Sequence, residues 1–452
     1  MDTPICDFVS CYAKSGTLRM HMPGHKGSAR LGMEHLDITE IDGADSLYEA
    51  EGIIRRSEEN AGRLFGARTF YSTEGSSQCI RAMLYLAQLH ARESGRKPLI
   101  AAGRNAHKTF MSAAALLDLQ VEWLYPKEGQ THLTCALPAD QLETQIRQCS
   151  ELPAAVYITS PDYLGNRADI AAIAEVCRRY GMLLLVDNAH GAYLKFLEKS
   201  IHPMDLGADM CCDSAHKTLP VLTGGAYLHI APSAPACLAR QAKNALALFG
   251  STSPSYLILQ SLDAANVYLE GHRQRLKAFV PEAAALKERL QAHGYGLTGD
   301  EPLKITIQAK LYGWTGSEMA QALRENGIEC EFADPDFLVL MVAPETGRDG
   351  LFRLEQALLG IERKPPLNDA PPPVCRCERV MSIREAMLSP AREVCAAKSV
   401  GRVLASASVG CPPAVPIVIC GERIDGAAAE AFAYYGVKTC MVVDEGTTDH
   451  RK

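Results

Sequence analysis

The stretch "DIAAIAEVCRRYGMLLLVD" (Asp169–Asp187) joins two signals of different period. Its first part sets apolar residues at helical spacing and stops at Gly181. Its second part, "GMLLLVD" (Gly181–Asp187), is a short continuous apolar run and reads as a strand buried on both faces. The alternation extends in both directions. "PLIAAG" (Pro98–Gly103), "AAVYITS" (Ala154–Ser160) and "GADMCCD" (Gly207–Asp213) read as further strands, and "TFMSAAALLDL" (Thr109–Leu119) as a helix. Apolar strands alternating with helices from about Asp42 to Leu262 imply an α/β fold whose mostly parallel sheet is covered on both faces.

With 452 residues the chain is too long for one compact core. Residues 1–41, rich in Gly, His and Met with weak periodicity, read as an N-terminal arm, and 42–301 as the large domain. The run from "PLKITIQAK" to "GLFRLEQALLGI" follows the order βαββα, a small α+β domain over 302–362. "RKPPLNDAPPPVC" (Arg363–Cys375) is a Pro-rich linker. Residues 376–452 form a C-terminal domain with one amphipathic helix, "SIREAMLSPAREVCAA" (Ser382–Ala397), and the Pro-rich apolar stretch "GCPPAVPIVICGE" (Gly410–Glu422).

Composition narrows the class of partner. A formal net charge of -7 and a pI near 6.0 argue against a general nucleic-acid binder. The N-terminal residues lack the apolar core of a signal peptide, and no apolar run is long enough to span a bilayer. Sixteen cysteines without a CxxC pair fit reduced thiols in a cytoplasmic protein.

Four features carry chemistry. Asp187 ends an apolar strand, at the carboxyl edge where α/β sheets bind ligands. Lys217, in "CDSAHKTLPVLTGGAYL" (Cys212–Leu228), follows another strand. A lysine amine and a carboxylate at one sheet edge suit pyridoxal phosphate: the first holds it as a Schiff base, the second keeps its ring nitrogen protonated. Gly75-Ser76-Ser77 opens a helix, where free N–H groups and hydroxyls make a phosphate cradle. His107, in "GRNAHKTF", also lies just past a strand and is placed to stack on a ring. Taken singly, each has a plainer reading: Asp187 as a loop cap, Lys217 as solvated, His107 as a helix cap. His21 and His25 are four apart, but Pro23 and Gly24 break any helix between them, and no metal site is expected. GxGxxG, GxxxxGK and GxSxG motifs are absent.

In this order, "MPGHKG", "RNAHKT", "TSPDYLG", "VDNAHG", "DSAHKTLP" and "STSPSY" resemble the bacterial ornithine/lysine/arginine decarboxylases, and the likeness runs from about residue 16 to 425. These are fold-type-I, aspartate-aminotransferase-like enzymes. The resemblance implies α-decarboxylation of a basic amino acid for polyamine synthesis, with arginine favoured. It makes Lys217 the Schiff-base lysine, His216 its neighbour in positioning and proton transfer, and Asp187 the partner of the pyridinium nitrogen. Ala189 packs on the ring with His190 close by, and His107 stacks on the ring and donates a proton. Gly75, Ser76, Ser77 and Ser214 bind phosphate, while Thr252 reaches it from a partner subunit, so the protein is at least a homodimer. The chain resembles the short forms without an N-terminal wing domain.

Two positions depart from the family pattern: Glu74 stands where a neutral residue is usual, and Asn188 where Glu is usual. Glu74 would repel a phosphate unless it turns away or pairs with a base such as Arg81. Acidic candidates for the far end of the substrate are Glu422, Asp45 and Glu49. The rival readings are an aminotransferase or other lyase on an amino acid, with arginines such as Arg353 as carboxylate clamps, and a catalytically silent regulatory paralogue.

Overall fold

The computed structural model describes residues 1–127, 129–406 and 414–444. They form two units: residues 1–101, 138–161 and 168–279, and residues 102–137, 162–167 and 280 onwards.

The first unit holds most of a seven-stranded sheet. Its strands are β1 (Arg68–Ser72), β2 (Leu99–Gly103), β3 (Gln120–Leu124), β4 (Ala155–Thr159), β5 (Leu183–Asp187), β6 (Met210–Asp213) and β7 (Ala226–Ile230), ordered β1-β7-β6-β5-β4-β2-β3. The chain passes into the second unit along β2, and β3 belongs there. β4, β5 and β6 run parallel, with Ala155 opposite Leu183 and Leu185 opposite Met210. β7 and β1 close that edge antiparallel, which the apolar pattern does not reveal. Every residue of β2, β5, β6 and β7 is buried, as continuous apolar strands require. Asp187 and Asp213 are therefore the last residues of adjacent parallel strands and share one edge.

Local signals set the helix boundaries. Asp169 caps Ile170–Arg179 by accepting the Ala172 N–H at 3.1 Å, and Gly181 ends the turn with φ +62°. The arm is not wholly extended: Pro4–Lys14 is a helix, with Pro4 in its first turn.

The second unit contains the antiparallel sheet β10-β11-β9-β8, built from β8 (Leu297–Thr298), β9 (Lys304–Gln308), β10 (Phe332–Ala333) and β11 (Phe337–Met341). A capping box at Thr315 and Glu318 starts the helix Gly316–Glu325, and Gly347–Leu359 supplies the other helix. The amphipathic helix expected over Ser382–Ala397 stops at Leu388. Pro390 turns Ser389 to an extended ψ of 150°, and Ala391–Cys395 becomes β12, paired with β13 (Thr439–Val443). Within Gly410–Glu422, residues 410–413 lie outside the described ones.

His132 in this unit is buried with its ring edge-on to Tyr435, 4.6 Å between centroids. Burial, with Arg104 adding to it, lowers its pKa to about 3. The unfolded chain takes up this proton below about pH 6.5, while the folded chain does so only near 3, so His132 removes stability as pH falls through that window. A His132→Phe variant should lose less stability than wild type between pH 7 and 5, by about 1.4 kcal/mol per pH unit below 6.5. Urea midpoints at the two pH values measure it; equal losses would refute the assignment.

Candidate active site

Asp187 is 2 % exposed. Its hydrogen-bond donors among the described residues are the Tyr157 hydroxyl at 3.1 Å, the Ala189 N–H at 3.3 Å and the Cys212 thiol at 3.6 Å. These contacts are long, and no lysine, arginine or histidine among the described residues pairs with it. A buried carboxylate normally has a cationic partner. Burial and the Asp187 charge push the Tyr157 hydroxyl far above its ordinary pKa, so it stays a donor.

Lys217 sits on the one-turn helix Ala215–Thr218, just past the end of β6. It is exposed within the chain, and its amine lies 3.0 Å from Nε2 of the buried His190. His216, beside it, is fixed twice by one carbonyl: its N–H reaches Gly225 O at 3.2 Å and its ring Nδ1 donates to the same oxygen at 3.0 Å. The Thr-Gly-Gly run thus seats the histidine. Gly224, with φ +101°, also accepts the Gly75 N–H at 2.7 Å, and a Cβ there would come within 2.8 Å of Thr73 O.

Ser76 and Ser77 open the helix Gly75–Glu93, and the Ser214 hydroxyl reaches Ser76 Oγ at 2.8 Å. Gly75 has φ +70°, and a Cβ on it would lie 3.9 Å from the His216 ring. Glu74 occupies the cap position without bonding to the first turn. Its carboxylate accepts the Ser251 N–H, rather than pairing with Arg81. Thr252, in the same loop, is exposed.

The structure therefore brings Lys217 to His190, Ser214 to Ser76 and His216 to Gly75, with Ala189 bonded to Asp187. His107 lies in the second unit, where its Nδ1 caps the helix Lys108–Leu117 by accepting the Thr109 N–H at 3.2 Å. A buried carboxylate with no basic partner among the described residues, a lysine amine bonded to His190 and a hydroxyl-lined helix N-terminus fit pyridoxal phosphate.

Beside this set lies a network the sequence does not announce. Asp213 Oδ2 accepts from Nε2 of His202 at 3.0 Å and of His229 at 3.2 Å, while its Oδ1 accepts from Asn188 Nδ2 at 2.6 Å. All four side chains are buried. Burial alone would raise the Asp213 pKa; the two imidazoles hold it well below the carboxylate range. A glutamate at 188 would set a second carboxylate against Asp213, so Asn suits this chain.

Glu422 is buried, its carboxylate accepting the Ile419 N–H and lying 4.0 Å from the buried Arg104, which itself donates to the carbonyls of Pro416 and Ile417. Asp45 is engaged by the N–H groups of Ser46, Glu51, Gly52 and Ile54. Glu422 Oε2 and both Asp45 oxygens thus have partners within the chain; Glu49 is exposed. Arg353 donates to the carbonyls of Asn326 and Gly327 rather than forming a clamp. His21 bonds Tyr12, and His25 bonds Asp37.

The Orn/Lys/Arg decarboxylase major domain matches residues 3–305. This chain belongs to that family. Over 94% of its length it is 29% identical to the uncharacterized protein YaaO of Bacillus subtilis (strain 168), of which it covers 92%. It is 27% identical to the arginine decarboxylase of the same organism, again over 94% of the chain and 91% of that protein. The fold of this family member matches the constitutive lysine decarboxylase of E. coli with a TM-score of 0.77 at 17% identity, covering 98% of this chain and 82% of that one. It is a pyridoxal-phosphate-dependent amino-acid decarboxylase of fold type I. No helix among the described residues is long and apolar enough to cross a membrane.

Proposed function

We propose that this decarboxylase converts arginine to agmatine and CO₂ in polyamine synthesis, as a cytoplasmic homodimer or larger homo-oligomer. The buried, cation-poor Asp187 is the observation that carries the site. The arginine assignment is supported by relatives that bear that name, matched over nearly their whole length. The bound cofactor supplies an electron sink for the pair left when CO₂ departs.

The chain's residues supply the rest. Lys217 anchors the cofactor through its amine, and Asp187 stabilises a protonated ring nitrogen from the strand end. Ser76, Ser77, Ser214 and the cradle N–H groups bind the phosphate, and Thr252 reaches a partner subunit's cradle. His190 is positioned to hold a proton at the Lys217 amine, at 3.0 Å. His216 is fixed by Gly225 to steer that amine. The family resemblance assigns His107 the ring face and proton delivery to the substrate's α-carbon. Leu18, Met20 and Leu31, each at least 80 % exposed, put apolar surface on the arm that supports self-association. The free cysteines of the described residues support a reducing compartment.

Purified protein with pyridoxal phosphate, incubated separately with arginine, lysine and ornithine beside a Lys217→Ala control, tests this by mass spectrometry. Agmatine from arginine, absent from the control, is expected. Cadaverine or putrescine in its place would overturn the arginine assignment; no amine from any substrate would overturn the reading for all three.

A further inference from the structure

We propose that His90, Glu93 and Cys237 form a binding site for a zinc-class divalent cation that clips the end of the helix Gly75–Glu93 to the helix Ala236–Ala247. His90 and Glu93 are three residues apart and share one helix face. Cys237, the second residue of the other helix, points its thiol between them. The three ligand atoms all lie within 4.8 Å of one another, and His90 Nδ1 is 3.9 Å from Cys237 Sγ. Metal–ligand lengths of about 2.3 Å to sulfur and about 2.0 Å to nitrogen set a tetrahedral N···S edge of about 3.5 Å, close to the present His90–Cys237 separation.

The donor set decides the class of ion. One thiolate, one imidazole and one carboxylate suit zinc, cobalt or nickel, whereas calcium and magnesium take oxygen ligands. His90 and Cys237 are part-buried and Glu93 is exposed, so solvent reaches the cluster and water fills the fourth position. A second His/Cys/Asp group, His202, Cys211 and Asp213, is equally compact but fully buried, and its imidazole and carboxylate already bond each other. It is a hydrogen-bond network rather than an ion site. On the helix Gly75–Glu93 the His90 cluster begins 13 residues beyond Ser77 of the phosphate cradle, about 20 Å at 1.5 Å per residue. The cation is therefore a brace for the fold and takes no part in the chemistry.

Titration of the holoenzyme with cobalt(II) tests the site through the visible bands of tetrahedral cobalt, which lie to the red of the cofactor's absorption. Zinc is then compared for its effect on the thermal midpoint. Wild type should show the bands, saturating at one equivalent per chain, and a zinc-dependent rise in midpoint. Cys237→Ser and His90→Ala should lose both. Cys11 and Cys395 are also exposed, so the difference from the variants is what counts. Bands and midpoint shift that persist in either variant, or are absent from wild type, would overturn the site.

Discussion

Replacing Asp187 with asparagine should lower kcat by roughly 10²- to 10³-fold while leaving the cofactor-free protein at least as stable as wild type. The first effect follows from removing the carboxylate that would keep the cofactor's ring nitrogen protonated and able to draw off the electron pair; losing one such electrostatic group costs about that much in comparable sites. The second follows from what surrounds Asp187 among the described residues: three long contacts, from a phenol, an N–H and a thiol, and no basic partner. In the apoprotein this carboxylate is buried without adequate compensation, so an amide of the same shape removes a cost. With cofactor bound, the sign reverses. Wild type should gain more thermal stability from pyridoxal phosphate than Asp187→Asn does, and thermal midpoints of both proteins with and without cofactor measure this. An Asp187→Asn apoprotein that melts well below wild type would show that Asp187 is a structural group and would remove it from the cofactor site.

What the sequence discloses and what it hides divide along physical lines. The strands at 98–103, 154–160, 181–187 and 207–213 are legible because a strand buried on both faces must be continuously apolar, and each of these is. Asp187 is legible because it ends such a run, and Lys217 because it follows one. The antiparallel edge strands β1 and β7 are not, since pairing direction depends on how the chain returns rather than on local pattern. The helix at Ser382 is overcalled because its apolar spacing continues past Pro390, where the missing N–H and the restricted preceding residue end it. Glu422 and Asp45 read as candidate substrate groups by charge alone; only the three-dimensional structure shows Glu422 Oε2 bonded to Ile419 and both Asp45 oxygens taken by the turn at 46–54. The cluster at His90, Glu93 and Cys237 has no signature either, because its third member comes from a helix more than a hundred residues away.

Asp213 is the case in which the same substitution should have the opposite outcome. Asp213→Asn should destabilise the protein, with and without cofactor, by about 3–5 kcal/mol, the range for removing one member of a buried charged set. Three donors converge on this carboxylate. The Met204 N–H points at Nδ1 of His202, which leaves the ring proton on Nε2, directed at Asp213. Thr69 bonds Nδ1 of His229 at 2.9 Å, and its Nε2 also faces Asp213. Asn188 supplies the third donor through Nδ2. A carboxylate accepts all three, whereas an amide has one accepting oxygen, so its NH₂ must face either the two imidazoles or the Asn188 amide. A donor would then meet a donor inside the core. The geometry also names a rescue. In the double variant Asn188→Asp/Asp213→Asn, the amide can keep its oxygen toward the imidazoles and donate to the new carboxylate at 188. The double variant should recover about 1–3 kcal/mol over the sum of the single changes, the coupling typical of neighbours in one network. Denaturant midpoints of the four proteins complete the cycle. Additive losses would show that the 2.6 Å contact between Asn188 and Asp213 does not hold the ends of β5 and β6 together.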